Sequence, residues 1–323
     1  MTLRAPSTRP SLRSSVAQNI VLGSYRGDSQ TKVFLCVYSS SFFPSLYTPP
    51  SPPLQAVIAY LLCAGFGTRM RPLTTETPKS LARVAGSPIL DHLLDELRPW
   101  SELDAIHLAV NHRDAEAFRA WAADHRPDLS DEGIDLHVHD DGVEAPDEQL
   151  GSMGDLQFLL DEVGLPDDGA LVSGGDSLYR FPLAPILNAY DGATNQALAL
   201  HEPDPERRAH SSVLILNGST VAEVVTDPTA PDSTWICPSW LLLSADALRT
   251  ISPYLEDGRP SDEIGAFCNH LTRIRSLRTH RLPRQANLRL HCNTVDDLER
   301  ARRIFRNEPR HLLGPEAVRK CLR

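Results

Sequence analysis

The sequence predicts an α/β fold: a mostly parallel mixed sheet with helices on both faces. Three observations lead there. Apolar runs of strand length alternate with stretches of helical spacing from Ala56 to Ser173. The first of these runs is apolar without alternation, as in a strand buried on both faces. And 41% hydrophobic with 23% charged residues over 323 residues is enough to bury a large core without disulfide or metal staples.

The elements follow in order. Ala56–Leu62 is a continuous apolar strand closed by Cys63, Ala64 and Gly65. Pro88–Leu97 places Ile89, Leu90, Leu93, Leu94 and Leu97 at helical spacing. Ala105–Val110 is a strand, Asp114–Ala123 a helix, and Ile134–His139 an alternating strand. Asp155–Val163 carries Leu156, Leu159, Leu160 and Val163 on one helical face. Ala170–Ser173 is a short buried strand broken by Gly174 and Gly175. Farther on, Gln196–Leu200, Ser212–Leu216 and Val221–Val225 read as strands, the last two joined by the hairpin signal Asn217-Gly218. Ala245–Ile251 and Asp262–Leu271 read as helices. Thr294 and Asp297 form a capping box opening a helix through Ile304. No repeat is present that would build a β-helix.

Composition excludes several function classes. A net charge of −10 argues against a general nucleic-acid binder. No run approaches the roughly 18 apolar residues of a membrane helix. The six cysteines form no CxxC pair, which argues against a zinc ribbon and for a reducing compartment. The expected location is cytoplasmic.

Residues 1–54 differ from the rest. Arg4, Arg9, Arg13, Arg26 and Lys32 face one acid, Asp28, among many Ser and Pro. The stretch is expected to be a disordered extension or a mis-assigned start; as a genuine transit peptide it would make the protein organellar. The expected division is 1–54 extension, 55–310 catalytic-type domain and 311–323 C-terminal tail.

The most informative segment is Leu61–Leu81, LLCAGFGTRMRPLTTETPKSL. A strand ends, and Gly65 and Gly67 leave a loop whose backbone N–H groups can point at phosphate oxygens. Arg69 and Arg71 add positive charge. Lys79 is one of only three lysines in the chain, with Lys32 and Lys320. Spacing excludes a Walker A loop, a GxGxxG dinucleotide fingerprint and a kinase Gly-rich loop with its partner motifs.

This segment resembles the signature LAAGxGTRLxPLTxxxPKxLxxVxGxPxL of the sugar-1-phosphate nucleotidyltransferases. Leu62, Ala64, Gly65, Gly67, Thr68, Arg69, Pro72, Leu73, Thr74, Pro78, Lys79, Leu81, Val84, Gly86 and Pro88 fall in register, with Cys63 for the usual Ala. Leu150–Asp155 resembles the family's LGxxG element, and Leu171–Asp176 its strand ending in a Gly-Asp metal site. The resemblance covers roughly residues 56–305.

It implies a Rossmann-like fold of nucleotidyltransferase type, and a reaction joining an NTP and a sugar 1-phosphate to give an NDP-sugar and pyrophosphate. Arg69, Lys79 and Asp176 would be the catalytic residues. Ala64, Gly65, Phe66, Gly67, Thr68, Arg69 and Gly151 would bind the nucleotide, and Asp176 would hold Mg²⁺. The partners would be small molecules, with no nucleic acid and no membrane; a homo-oligomer is left open. Two departures lie on the acceptor side. The family's E-K-P motif reads Thr226-Asp227-Pro228 here, and His291 stands where a second metal-binding Asp is usual. His suits softer metals better than Mg²⁺. His291 and Cys292 are read as a strand-end pair without a ligand role, and Asp296 and Asp297 as charges on the last helix. Two other functions therefore stay open: a cytidylyltransferase acting on a phospho-alcohol such as phosphocholine, and a catalytically weak nucleotide-binding regulatory homologue.

Overall fold

The computed structural model describes residues 19–27, 30–38, 56–226 and 233–322. Contacts divide the chain into two units, Met1–Pro52 and Pro53–Arg323. In the first, β1 (Asn19–Gly27) pairs antiparallel with β2 (Gln30–Tyr38), Asn19 opposite Tyr38. The expectation for 1–54, a disordered extension or a mis-assigned start, concerns the stretch that holds this pair. The rest of that leader lies outside the described residues.

The second unit begins with β3 (Val57–Leu62), short strands β4 (Arg83–Val84) and β5 (Ser87–Pro88), α1 (Ile89–Leu97), β6 (Leu103–Val110) and α2 (Ala115–Asp131). β7 (Asp135–Asp140), α3 (Gly151–Val163), β8 (Ala170–Gly174), β9 (Ser177–Tyr179), α4 (Ala184–Leu187), β10 (Asn195–His201) and α5 (Pro205–Ala209) follow. Then come the hairpin β11 (Ser212–Asn217) and β12 (Thr220–Val225), β13 (Trp235–Cys237), β14 (Trp240–Leu243), α6 (Ala245–Leu248) and α7 (Ile251–Glu256). α8 (Ile264–Ile274), β15 (Leu277–Arg281), β16 (Arg289–His291), α9 (Val295–Asn307) and α10 (Pro315–Lys320) complete the unit.

Ten strands make one sheet in the order β13-β11-β12-β15-β10-β14-β8-β3-β6-β7. β8, β3, β6 and β7 run parallel, as do β10 and β15. β14 enters antiparallel between β10 and β8. The two-residue strand period explains why β3 carries no polar face. Val57, Ala59 and Leu61 pack toward Leu90, Leu93 and Leu97 of α1 and Phe118 of α2. Tyr60 packs toward Met153, Leu156 and Leu159 of α3 on the other side. Each fully buried leucine of this kind contributes about 1.5–3 kcal/mol.

Several expectations change in detail. The helix expected at Ala245–Ile251 is two short helices, α6 and α7, parted at Arg249-Thr250. β9, β13, β14 and β15 have no counterpart in the sequence reading, and β16 only the strand end read at His291-Cys292; they hold three to five residues each, too few for a clear period, and Pro238 interrupts the β13–β14 run. The 311–323 stretch set aside as a tail belongs to the same compact unit. Val318 of α10 is buried in the core, and Leu312 N donates to Arg180 O at 2.7 Å.

Candidate active site

The site forms where the carboxyl ends of β3 and β8 meet. Gly175 N donates to Leu62 O at 3.2 Å, and Gly174 N donates to Ser239 O at 2.9 Å. A side chain at Gly175 would fall on Cys63 Sγ and lie 3.1 Å from Ser80 Oγ. Only glycine lets the chain pass there and leave Asp176 at the strand mouth. β9 then pairs antiparallel with β16, His291 opposite Ser177, and Cys292 N donates to Asp176 O at 3.0 Å. This small ribbon brings residues 115 apart in sequence to one carboxylate.

Lys79 Nζ donates to Asp176 Oδ2 at 2.5 Å and to Asn293 Oδ1 at 2.9 Å. His291 Nε2 donates to the same Oδ2 at 3.0 Å. Ser177 Oγ donates to Oδ1 at 3.2 Å and accepts from Arg289 Nε at 3.0 Å. Lys79 and Asp176 side chains keep only 13% and 23% of their surface exposed, so their attraction is poorly screened. Burial alone would raise the Asp176 pKa. The His291 ring, the Lys79 ammonium and the Arg289 guanidinium outweigh burial and hold the carboxyl well below its usual range. Burial lowers the His291 pKa more than Asp176 raises it. Nε2 is the ring nitrogen that faces Asp176, so a proton there serves the carboxylate.

Arg69 lines a cavity of about 460 Å³ with Arg289, His291, Asn293, Asp297 and Arg300. Glu202 and Arg207 border the same space. Arg69 lines this cavity, whereas Lys79 and Asp176 border it only through Asn293 and His291, their hydrogen-bond partners in its wall. The 64–68 loop does not line that cavity. Gly65 and Thr68 are exposed, whereas Ala64 and Phe66 are buried. Ala64 O accepts from Asn111 Nδ2 at 2.9 Å, the Gly67 carbonyl accepts from Thr74 Oγ1 at 2.7 Å, and Arg113 covers the Phe66 ring at 4.7 Å. The loop is held from its buried side. Gly151 also stands apart from the cavity. Its φ is +79°, and a Cβ would lie 2.6 Å from Ser261 O, so it packs directly on the Ser261-Asp262 backbone. Burial pushes the Cys63 thiol up to about 12, which makes it a packing residue and not a nucleophile.

Three participants were missed from sequence: Asn293, Ser177 and Arg289. His291 is a hydrogen-bond donor to the central carboxylate, more than the strand-end residue expected. The one available signal was the Arg-Leu-His triplet 289–291, charged and apolar by turns beside the expected motif. Asp297 serves the α9 capping box with Thr294, as read from sequence. Asp227 and Pro228 lie outside the described residues.

The donor set fits a divalent cation in one way. Asp176 supplies a single carboxylate, and among the described residues no group of three or more His, Cys, Asp and Glu side chains could hold a metal ion. Mg²⁺ accepts one or two carboxylates completed by substrate phosphates. A site built from two protein carboxylates does not fit, because His291 occupies the second place.

The family model described as Nucleotidyl transferase matches residues 58–282. The chain is similar to the mannose-1-phosphate guanyltransferase of Aspergillus oryzae, 23% identical over 252 residues, covering 67% of this chain and 65% of that protein. It is also similar to the UTP–glucose-1-phosphate uridylyltransferase AglF of Haloferax volcanii, 24% identical over 258 residues, covering 79% of this chain and 98% of that one. Among solved structures, a Bacillus anthracis protein provisionally assigned as a glucose-1-phosphate thymidylyltransferase has a TM-score of 0.65 at 18% identity, covering 79% of this chain and 96% of the other, a likeness of fold. The chain spans about half to two thirds of the length of several curated relatives it matches.

Proposed function

Because the chain belongs to the nucleotidyl transferase family, we propose that it transfers a nucleotidyl group from an NTP to a sugar 1-phosphate. The observation that carries this reading is the Lys79–Asp176 pair, set at the carboxyl ends of β3 and β8 between the glycine loop and the cavity. Ligands of open α/β sheets collect at such strand ends. The sugar relatives named above support the acceptor class.

In this reading a phosphate oxygen of the acceptor attacks the α-phosphorus in line, the α–β bridging bond breaks, and pyrophosphate leaves with the bond electrons. Both reactants are anions, so positioned positive charge is the main contribution the protein makes. Lys79 sits between the α-phosphate and the incoming phosphate and neutralises the charge they share. Arg69 holds the β- and γ-phosphates. Backbone N–H groups of Ala64–Thr68 cradle the triphosphate, and the Gly151 backbone meets the base. Asp176 would hold Mg²⁺, which would supply Lewis-acid charge to phosphate oxygens. His291 and Ser177 keep the carboxylate oriented. Five free cysteines among the described residues support a reducing, cytoplasmic setting, and no helix among those residues is long and apolar enough to cross a membrane.

The test is pyrophosphate release by the full chain with Mg²⁺, crossing the common NTPs with sugar 1-phosphates and phosphocholine. Release requiring one NTP and one sugar 1-phosphate is expected. Release only with phosphocholine would replace the acceptor class. Nucleotide binding with no release in any mixture would point to the regulatory reading.

A further inference from the structure

The reaction proposed above brings a second anion, the acceptor phosphate, to the Lys79–Asp176 pair. A dianion entering so shielded a site needs its own cation. The described residues that line the cavity include no lysine. The second cation is therefore an arginine or a histidine.

The cavity arginines are not equivalent. Arg207 lies 3.6 Å from Asp204, and Arg300 is tied to Asn287. Arg69 belongs to the glycine-loop side. Arg289 is different in two respects. It is on β16 two residues before His291, with Leu290 between them buried in the core, so Arg289 and His291 share the cavity face. And only its Nε is engaged, by Ser177 Oγ at 3.0 Å, which in turn reaches Asp176 Oδ1 at 3.2 Å. Its two terminal nitrogens have no partner among the described residues. Anchored at Nε, the guanidinium offers a planar fork beside the reacting centre, the geometry that takes a phosphate bidentately.

Four acids, Glu202, Asp204, Glu206 and Asp297, border the same cavity, and hydrogen bonds hold three of them in place. Asp204 caps α5 through Glu206 N, Glu202 Oε1 accepts from Asp204 N, and Asp297 completes the α9 capping box.

We propose that Arg289 binds the phosphate of the acceptor, a phosphate monoester. This inference rests on the transferase reading, and the experiment separates the two. Inorganic phosphate is titrated calorimetrically into the full chain, its Arg289→Gln, Arg289→Lys and Ser177→Ala variants. Pyrophosphate release is measured on the same proteins. The expected result is at least a tenfold loss of phosphate affinity in Arg289→Gln, partly regained in Arg289→Lys, with acceptor KM raised at least tenfold and NTP KM within twofold of wild type. Phosphate affinity in Arg289→Gln equal to wild type overturns the proposal, as does a wild-type protein that binds no phosphate. Ser177→Ala, which removes the anchor at Nε, is expected to lose less phosphate affinity than Arg289→Gln, and a larger loss than in Arg289→Gln overturns the direct role of Arg289. Loss of phosphate binding in Arg289→Gln alongside an inactive wild type would support Arg289 and sink the transferase reading. An active wild type with unchanged acceptor KM in Arg289→Gln would do the reverse.

Discussion

The two sides of the cavity were built by different means. On the β3 side, Leu61–Leu81 is one continuous segment whose backbone does the work, and residues adjacent in sequence are adjacent in space. On the far side, Glu202, Arg207, Arg289, His291 and Arg300 arrive from α5, β16, α9 and the turn after β10. A backbone loop constrains residue type at nearly every position, through glycine, proline and small side chains. A wall of side chains constrains only the tips, and many residues can supply an equivalent tip. The first kind of site keeps a recognisable motif; the second drifts, as His291 illustrates.

The sharpest way to break this contrast is at Lys79, the residue both sides share. Lys79→Ala is expected to lower kcat by about a thousandfold or more, the scale of losing a preorganised charge at a reacting phosphate. The fold should hold, because Lys79 lines the site and packs no core. A thermal melt within a few degrees of wild type, together with lost pyrophosphate release, is the expected pair of results. Near-wild-type turnover would mean that the shared cation lies elsewhere, and Lys79 merely neutralises Asp176.

Much of the first half was legible in the sequence, for physical reasons. The unbroken apolar run of β3 could only be a strand covered on both faces, and it is. The scarcity of lysine made Lys79 conspicuous. The Thr294–Asp297 capping box is a local device, and both of its hydrogen bonds form. The contacts to Asp176 were not legible. They depend on β9 pairing with β16, a three-residue ribbon closed over more than a hundred residues, which no local periodicity announces. Asn293 and Arg289 became site residues only through that pairing. The β1–β2 hairpin was missed for the opposite reason: serine-, proline- and arginine-rich flanks masked two strands.

A second group in the β3 half tests whether burial there serves function or only costs stability. Asp155, one turn into α3, is 7% exposed. Burial, with Asp141 nearby, raises its carboxyl from 3.8 to about 7. The sign follows from proton linkage. Between about pH 4 and 7 the folded chain keeps this proton while the unfolded chain has lost it, so rising pH erodes stability through that window. The upper bound is about 4 kcal/mol, and local relaxation should leave about 2. Asp155→Asn is expected to raise the melting temperature at pH 8 and to change little at pH 4. Thermal melts across pH check this; equal gains at both pH values would assign the effect to packing. Lost nucleotide affinity in a stabilised variant would give the buried acid a functional purpose on the loop side.

The smallest expected effect belongs to the far wall. Thr294→Ala breaks the capping box of α9, in which Thr294 Oγ1 accepts from Asp297 N at 3.1 Å and Asp297 Oδ2 accepts from Thr294 N at 3.0 Å. Loss of such a cap costs about 1 kcal/mol. Thr294 directly follows Asn293, whose amide oxygen receives Lys79, so fraying here should loosen the acceptor wall without touching the glycine loop. Acceptor KM should rise a few-fold while NTP KM stays constant, measured beside a melting temperature lower by several degrees. If both KM values rise together, the two sides of the cavity are mechanically one unit, joined through Asn293 and Lys79. The distinction between a backbone-built and a side-chain-built half would then describe how the site is encoded but not how it works.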